Sequence, residues 1–544
     1  MADASAAPSE ELAGLSVEGG EGELSKAQLK KLKAKQEKEA FKAEKAAKVA
    51  AAAAEKAAAE ENDPLKDKYG DLRMVQSVEI TGRKWTRVAD LTEDKVGSTV
   101  LIRARLHNCR SKGKSAFVVL RECVSTVQCT LFVDEKTVSK GMVKYVSDIS
   151  KESIVDVEGV VTKPEAAIEG CTQKNVEIQV TAFHTVSKAE PRLPFTLEDA
   201  SRSERDFEAN PELVRVGQDT RLDNRVLDLR TPANNAIFRI QSAVCQLFRG
   251  SLLSEGFTEI HSPKMIGGTS EGGSAVFRFE YMNLGSGCLA QSPQLYKQMA
   301  ICADLERVFE IGPVFRAENS NTHRHLCEFT GLDMEMQIKE HYFEVLDVLD
   351  KLFINIFEGL SKDNAELVAT VHNQYPAEPF KYRVPSLRLT FEEGIKMLQD
   401  AGVEVDPLDD LSTATERTLG KLVKEKYDTD FYMLHRYPLG IRPFYTMPCP
   451  DDNRYSNSFD IFMRGEEIIS GAQRVHDPVF LEERARGCGI EVDTLRSYLE
   501  SFKLGTSPHG GCGVGLERVV MLFLGLDNIR KSSMFPRDPR RLAP

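Results

Sequence analysis

The sequence predicts an α+β protein: a lysine-rich helix, then a small β-barrel, then a larger domain in which helices flank an antiparallel sheet. Three observations predict it. Five strands are read between residues 75 and 190, four of them alternating apolar and polar side chains with period two. After residue 231 a helical apolar spacing feeds a strand. At 308–336, "VFEIGPVFRAENSNTHRHLCEFTGLDMEM", two apolar strands flank a loop crowded with Asn, His and Arg.

With 544 residues the chain exceeds what one hydrophobic core organises, so several modules are expected. The formal charge of −12 argues against a surface that binds nucleic acid everywhere and leaves room for local basic patches. The cysteines number eleven, and none stands in a CxxC pair or a zinc-type Cys/His spacing, which suggests reduced thiols. The start, "MADASAAPSEELAGLSVEGGEGE", is acidic and lacks an apolar stretch, and the longest apolar run, "VVMLFLGL", is too short to span a bilayer. A cytoplasmic protein without membrane contact is expected.

Residues 1–23 are too poor in apolar side chains to fold and are expected to be a disordered acidic tail. Residues 24–70 open with Ser25 as a helix cap and consist mostly of strong helix formers. Leu24 to Glu60 carry ten lysines, among them Lys26, Lys30, Lys31, Lys33 and Lys35, against five glutamates. Two readings stand: a solvated charged helix, or a sequence-independent contact with phosphates.

The span 75–190 alternates at Val100, Ile102, Ala104 and Leu106, at Val127, Cys129, Leu131 and Val133, at Val155, Val157, Gly159 and Val161, and at Val176, Ile178 and Val180. With a helix near 136–150 between the third and fourth strands, this is the pattern of an OB-type barrel. Arg103, Arg105, Arg110, Lys112 and Lys114 cluster near Phe117, with Gln128 on the next strand. Phe117 either stacks a base or belongs to the core. Residues 191–230 are polar and proline-containing and are expected to be a hinge. The second domain, 231–544, begins with the helix through Ile237, Ile240, Val244, Phe248 and Leu252 and a strand ending at Pro263.

In the opening hairpin, Phe309, Ile311 and Phe315 share one face with Leu332, Met334 and Met336 on the return strand. The opposite face carries Glu310, Arg316, Phe329, Gly331, Asp333 and Glu335, the floor of a site. Arg316 suits a phosphate and Phe329 a purine, although a surface salt bridge is the plain alternative for Arg316. In "SPHGGCGVGLERVVMLFLGLDNIR", glycines precede a buried helix that starts with Arg518, a cation at the end where the dipole favours an anion. In "NSFDIFMRGEEIISGAQRVHD", Asp460 and Glu467 face each other across a hairpin, either as a Mg²⁺ site or as ordinary surface charges. Glu467 differs in strand parity from Ser470 and Arg474, so a bulge is expected. No "GxxxxGK[ST]" or strand-linked "GxGxxG" loop is present.

These residues resemble the class II aminoacyl-tRNA synthetases, in particular the aspartyl type of the eukaryotic cytosol. "FEIGPVFRAENSNTHRHLCEFTGLDMEM" resembles motif 2, "GCGVGLERVVMLFLGLDNIR" motif 3, and the helix and strand ending at Pro263 motif 1, the dimer-interface element. "LSKAQLKKLKAKQ" resembles the tRNA-binding lysine motif of such enzymes, and no "HIGH" or "KMSKS" signature of class I occurs. The resemblance implies an N-terminal OB-fold barrel followed by a class II catalytic domain, with an insertion-like region at about 339–430. It implies a homodimer that activates L-aspartate with ATP and Mg²⁺ and charges tRNA(Asp).

The implied roles are these. Arg316 holds the α-phosphate, Arg518 the γ-phosphate, and Phe329 stacks on adenine, with Glu318 and His325 bounding a loop that meets ATP and the tRNA end. Asp460, Glu467 and Ser470 hold Mg²⁺. Lys297 and Arg474 bind the aspartate side chain, while Gln294, Asp333, Ser270 and Glu271 surround its amino group. Phe117, Gln128, Glu177 and Arg103 meet the anticodon. Asparaginyl and lysyl relatives share this architecture, but a lysine substrate would be repelled by Lys297 and Arg474. A non-catalytic RNA-binding paralogue is the rival from another class.

Overall fold

The computed structural model describes residues 63–134, 136–267, 276–283 and 285–544. The expected acidic tail, the lysines 26, 30, 31, 33 and 35, and the loop residues Ser270 and Glu271 lie outside them. The chain divides after Pro191 into two compact units.

The first unit contains β1 (Tyr69–Asp71), β2 (Thr99–Lys112), β3 (Ser115–Glu122), β4 (Ser125–Phe132), α1 (Lys140–Asp148), β5 (Ile154–Thr162) and β6 (Glu177–Ser187). The strand order is β1-β6-β4-β3-β2-β5, and β5 pairs back onto β6, which closes the barrel. The alternating stretches fold as expected because period two sends every second residue inward: Ile102, Leu106, Val118, Leu120, Val127, Leu131, Val157 and Ile178 are fully buried. The helix foreseen between the third and fourth strands is α1, started by Ser139, whose hydroxyl accepts the Met142 N–H at 3.0 Å. Strand β1 was not foreseen, since three residues are too few to show a period.

The second unit is built on an eight-stranded sheet. Its parts are α2 (Pro232–Ser254), β7 (Thr258–Glu259), α3 (Gln294–Cys302), β8 (Arg307–Phe315), β9 (Glu328–Gln337), α4 (Phe343–Lys362), β10 (Leu387–Thr390), β11 (Phe431–His435), β12 (Ser458–Met463), β13 (Glu466–Gln473), β14 (His509–Gly515) and α5 (Leu516–Phe523). The order is β10-β11-β12-β13-β14-β9-β8-β7. All neighbours are antiparallel except the two outer pairs, β7 with β8 and β10 with β11.

One face of this sheet is a core. Phe309, Leu332, Met334, Met433, Phe459, Ile461, Ile469 and Val514 pack there against α2, α4 and α5. Helix α2 has proline in its first turn, buries Ile237, Ile240, Val244, Phe248 and Leu252 along one stripe, and stops at Gly256, whose φ of +79° disfavours any other residue. Each fully buried side chain of that stripe contributes roughly 2 kcal/mol. Helix α5 is buried on nearly every side, as its uniform apolarity predicts.

Residues 192–230 fold into short helices inside this second unit. Arg225 pins them: its guanidinium donates to Asp228 at 2.6 Å and to the carbonyls of Ser533 and Met534 at 2.8 and 2.9 Å. Among the described residues no helix is long and apolar enough to cross a membrane.

Candidate active site

The sheet face opposite the core opens into a cleft of about 330 Å³. Its floor is the hairpin read from the sequence. Strands β8 and β9 pair Glu310 with Asp333, Gly312 with Gly331 and Val314 with Phe329, so those side chains share the cleft face while Phe309 and Met334 share the core. Arg316 follows directly after β8 and lies over the Phe329 ring, 5.6 Å from its centre.

One half of the cleft is lined by arginines. Arg316, Arg324, Arg442 and Arg518 all border it, with Glu318, His325 and Phe329. Arg518 donates Nη1 to the Glu467 carbonyl at 2.9 Å. Burial pulls its pKa down; Glu467 opposes that, and Arg324 and Arg316 add to it. The same surroundings, burial first and then Arg518 and Arg324, push His325 down to about 4, so at neutral pH it is an uncharged hydrogen-bonding group. An anionic ligand would relieve this accumulation of positive charge.

The expected bulge is present. Between Ile461 and Phe462 the register slips, so that Ile469 faces Ile461 but Glu467 faces Phe462. The slip turns Glu467 and Ser470 to the same face, and both border the cleft. Asp460 does not. Its two oxygens accept from Arg442 at 2.9 and 2.7 Å, and Arg442 also donates to Ser470 at 2.9 Å. Among the described residues no three His, Cys, Asp or Glu side chains converge as a metal site. Glu467 and Ser470 fit a divalent cation as oxygen donors, since burial and the nearby Asp460 raise the Glu467 pKa and a cation would supply the missing countercharge. Asp460, expected beside them, stands next to this pair and is held by the Arg442 that also reaches Ser470.

The deeper half is a network of paired charges. Arg474 donates Nε to Glu335 at 2.9 Å and Nη2 to Gln294 at 3.1 Å. Burial raises the Glu335 carboxyl, but Arg474 and Lys297 outweigh it and hold the group below its usual range. Burial likewise raises Asp333, which Lys297 only partly offsets. Lys297, expected at the aspartate side chain, is held among these groups. Lys297 is fully buried, and its ammonium donates to Asp333 at 2.9 Å and to the carbonyls of Cys512 and Met334 at 2.9 and 3.3 Å. It lies beneath the floor, against Asp333. Glycines keep this floor open: a Cβ on Gly331 would sit 2.6 Å from Asp333 Oδ2.

The loop between β8 and β9 is held from two sides that the sequence did not suggest. Arg324 donates to Glu416 at 2.6 Å, and Glu466 accepts from Arg417 at 2.6 Å and meets His323 at 2.9 Å. Glu416 and Arg417 belong to the helix Thr413–Tyr427, inside the region that showed no chemistry in the sequence. On the other side, Ile529 N–H donates to the His323 carbonyl at 2.8 Å, and Arg530 donates to the Thr322 carbonyl at 2.9 Å and to Asn321 at 2.7 Å. Only partner distances within hairpins were visible beforehand, which is why Arg442, Glu416 and Arg530 were missed.

On the barrel, Phe117 is 40% exposed and packs edge to face against Phe132. This decides its two readings in favour of a surface ring. Gln128 lies opposite Glu177 and donates to it at 3.0 Å, so the three residues share one outer face. Arg103 does not join them. It faces Asp156 on β5, holds it with two bonds of 2.7 and 2.8 Å, and lies over the Trp85 ring. Pro263, expected at a dimer interface, is exposed after β7.

Comparisons with known proteins agree with this geometry. The family model for class II tRNA synthetases (D, K and N) matches residues 217–539, and the OB-fold nucleic acid binding domain matches residues 100–186. The chain is 56% identical over 505 residues to an aspartate–tRNA ligase 2, cytoplasmic, of Arabidopsis thaliana, covering 89% of this chain and 90% of that one. It is 54% identical over 482 residues to the cytoplasmic aspartate–tRNA ligase of Homo sapiens, covering 89% and 96%. Among solved structures, an aspartyl-tRNA synthetase from Entamoeba histolytica superposes with a TM-score of 0.81 at 48% identity, covering 88% of this chain and 96% of that one.

Proposed function

The chain belongs to the class II tRNA synthetases of the D, K and N group, and from that premise we propose how its cleft and barrel carry out aspartate–tRNA ligation. Its function is that of an aspartate–tRNA ligase, which sets aside the asparaginyl, lysyl and non-catalytic readings. Like the relatives named cytoplasmic, it works in the cytoplasm.

In the first step an oxygen of the aspartate α-carboxylate attacks the α-phosphorus of ATP. The bond to the bridging oxygen breaks, and pyrophosphate leaves with the electron pair. In the second step the terminal tRNA hydroxyl attacks the activated carbonyl, its proton passes to a phosphate oxygen of the adenylate, and AMP leaves. The first step needs no general base, because the carboxylate is already a nucleophile; it needs alignment and neutralisation of phosphate charge.

Arg316 holds the α-phosphate, Arg518 the γ-phosphate, and Phe329 stacks on adenine. Glu318 and His325 bound the loop that covers ATP. Glu467 and Ser470, with Asp460 beside them, would hold Mg²⁺, which would neutralise phosphate charge. Arg474 faces the side-chain carboxylate of aspartate, with Lys297 behind Asp333, and Gln294, Asp333, Ser270 and Glu271 surround the amino group. An amide in place of that carboxylate would offer Arg474 one neutral acceptor instead of two charged ones and turn an N–H group toward a cation that only donates, which disfavours asparagine. The barrel face of Phe117, Gln128 and Glu177 meets the anticodon of tRNA(Asp), the lysine-rich extension adds contacts to phosphates, and the segment around Pro263 joins two copies into a homodimer.

The observation that carries this reading is that one strand serves both halves. Phe329 and Asp333 stand on the same face of β9, about 13 Å apart at the rise of a strand, a span suited to an aminoacyl-adenylate. ATP–pyrophosphate exchange with each of the twenty amino acids, without tRNA, tests it. Exchange with aspartate alone is expected, and Arg316→Ala is expected to abolish it while leaving tRNA binding intact. Exchange driven by asparagine would overturn the roles given to Arg474 and Lys297.

A further inference from the structure

Gln291 places a whole unbonded amide on the cleft wall. It borders the cleft, is 1% exposed, and neither Oε1 nor Nε2 has a hydrogen-bond partner. Its neighbours are satisfied: Gln294 bonds to Gln298 and Glu335, Asp333 to Lys297, and Arg474 to Glu335. Burying an amide with both ends unbonded destabilises a folded chain, and native proteins rarely keep such a group without a use for it.

Its place in the chain indicates the use. The carbonyl of Ala290, one residue before, accepts the Phe315 N–H at 3.0 Å, which sets Gln291 beside the point where β8 delivers Arg316. Three residues later Gln294 reaches Arg474. Gln291 thus stands at the junction between the arginine-lined half and the deep half, where on the proposed reading the α-carboxylate of aspartate meets the α-phosphate.

We propose that Gln291 is a further substrate-binding residue that reads the α-amino-acid backbone, with Nε2 donating to an α-carboxylate oxygen and Oε1 accepting from the α-ammonium group. A neutral donor suits this position. A cation there would stabilise the carboxylate before attack and blunt it as a nucleophile, whereas an amide orients it without that ground-state ion pair. Because both bonds go to atoms common to all α-amino acids, Gln291 improves binding and alignment without distinguishing aspartate from asparagine. This inference rests on the synthetase reading of the cleft.

The test compares Gln291→Met and Gln291→Ala with the wild-type enzyme in aspartate-dependent ATP–pyrophosphate exchange, in calorimetric binding of a non-hydrolysable aspartyl-adenylate analogue, and in thermal melting without ligand. Gln291→Met keeps the volume and removes the unbonded amide. It is expected to melt at or above the wild-type temperature while raising KM for aspartate at least tenfold and weakening the analogue comparably, with KM for ATP within about twofold. The residual aspartate-to-asparagine ratio should be unchanged. Both variants within twofold of wild type in KM and analogue affinity would overturn the proposal, as would a lower melting temperature of Gln291→Met with normal kinetics, which would mean the amide serves the fold. Absence of exchange in the wild-type enzyme would instead overturn the reading of the cleft.

Discussion

Arg474 and Glu335 lie side by side beneath the deep half of the cleft, joined by bonds of 2.9 and 3.2 Å, with Arg474 4% exposed and Glu335 fully buried. Removing the carboxylate leaves a buried guanidinium without its countercharge. Glu335→Ala is expected to destabilise the second unit by about 3–5 kcal/mol and to abolish aspartate-dependent exchange. Chemical denaturation and the exchange assay measure the two effects. Glu335→Ala protein with wild-type stability would contradict this account of the network.

Gly331→Ala tests how closely the floor is fitted. The new methyl would sit 2.6 Å from Asp333 Oδ2 and 2.9 Å from a Val314 methyl, so Asp333 must turn away from Lys297. KM for aspartate is expected to rise roughly tenfold, about 1.4 kcal/mol, with a much smaller change in KM for ATP. Equal rises in both constants would place the disturbance elsewhere.

Glu517 supplies a pH dependence of known sign. Burial raises it to about 7, although it accepts the Thr330 N–H at 3.1 Å. The folded chain therefore keeps a proton that the unfolded chain loses near the ordinary glutamate value. Its contribution favours folding fully below about pH 4.5 and is lost as pH rises through about 7, by roughly 3 kcal/mol at most. Glu517→Gln is expected to melt a few degrees above wild type at pH 8 and to lose that advantage at pH 5. A constant difference across that range would assign its effect to something other than this proton.

On the barrel, Phe117→Ala and Arg103→Ala should separate binding from folding. Loss of an exposed stacking ring is expected to lower kcat/KM for tRNA by about 1–3 kcal/mol in the activation barrier, with exchange and barrel stability unchanged. Arg103→Ala strips Asp156 of both its bonds and uncovers Trp85, so the expected effect is a lower melting temperature of the barrel. A reversed pattern would restore Arg103 to the binding face.

The hairpin floor was legible because period two assigns Phe329, Asp333 and Glu335 to one face without any knowledge of tertiary contacts. The bulge near Glu467 was legible for the same reason, as a mismatch of parity. What stayed hidden depends on partners far away in the chain. Arg324 and Glu416 are 92 residues apart, and His323 and Glu466 are 143 apart. On a helix such as Thr413–Tyr427, a charged side chain that grips a loop looks the same in the sequence as one facing water. Lys297 and Arg103 show the converse limit: residue type indicated a cation, but not that neighbouring carboxylates already held it.

The clasp on the loop between β8 and β9 also sets an order in time. Arg530 and the Thr322 carbonyl it holds are 208 residues apart, and a ribosome adding about 5–20 residues per second needs on the order of 10–40 seconds to make that stretch. Throughout that interval the nascent chain has the arginine-bearing loop but not the clasp that shapes it. An enzyme that supplies charged tRNA to translation therefore completes its own cleft late in its translation, and a ribosome stalled before Arg530 would carry a chain with both strands of the hairpin and an unsecured loop between them.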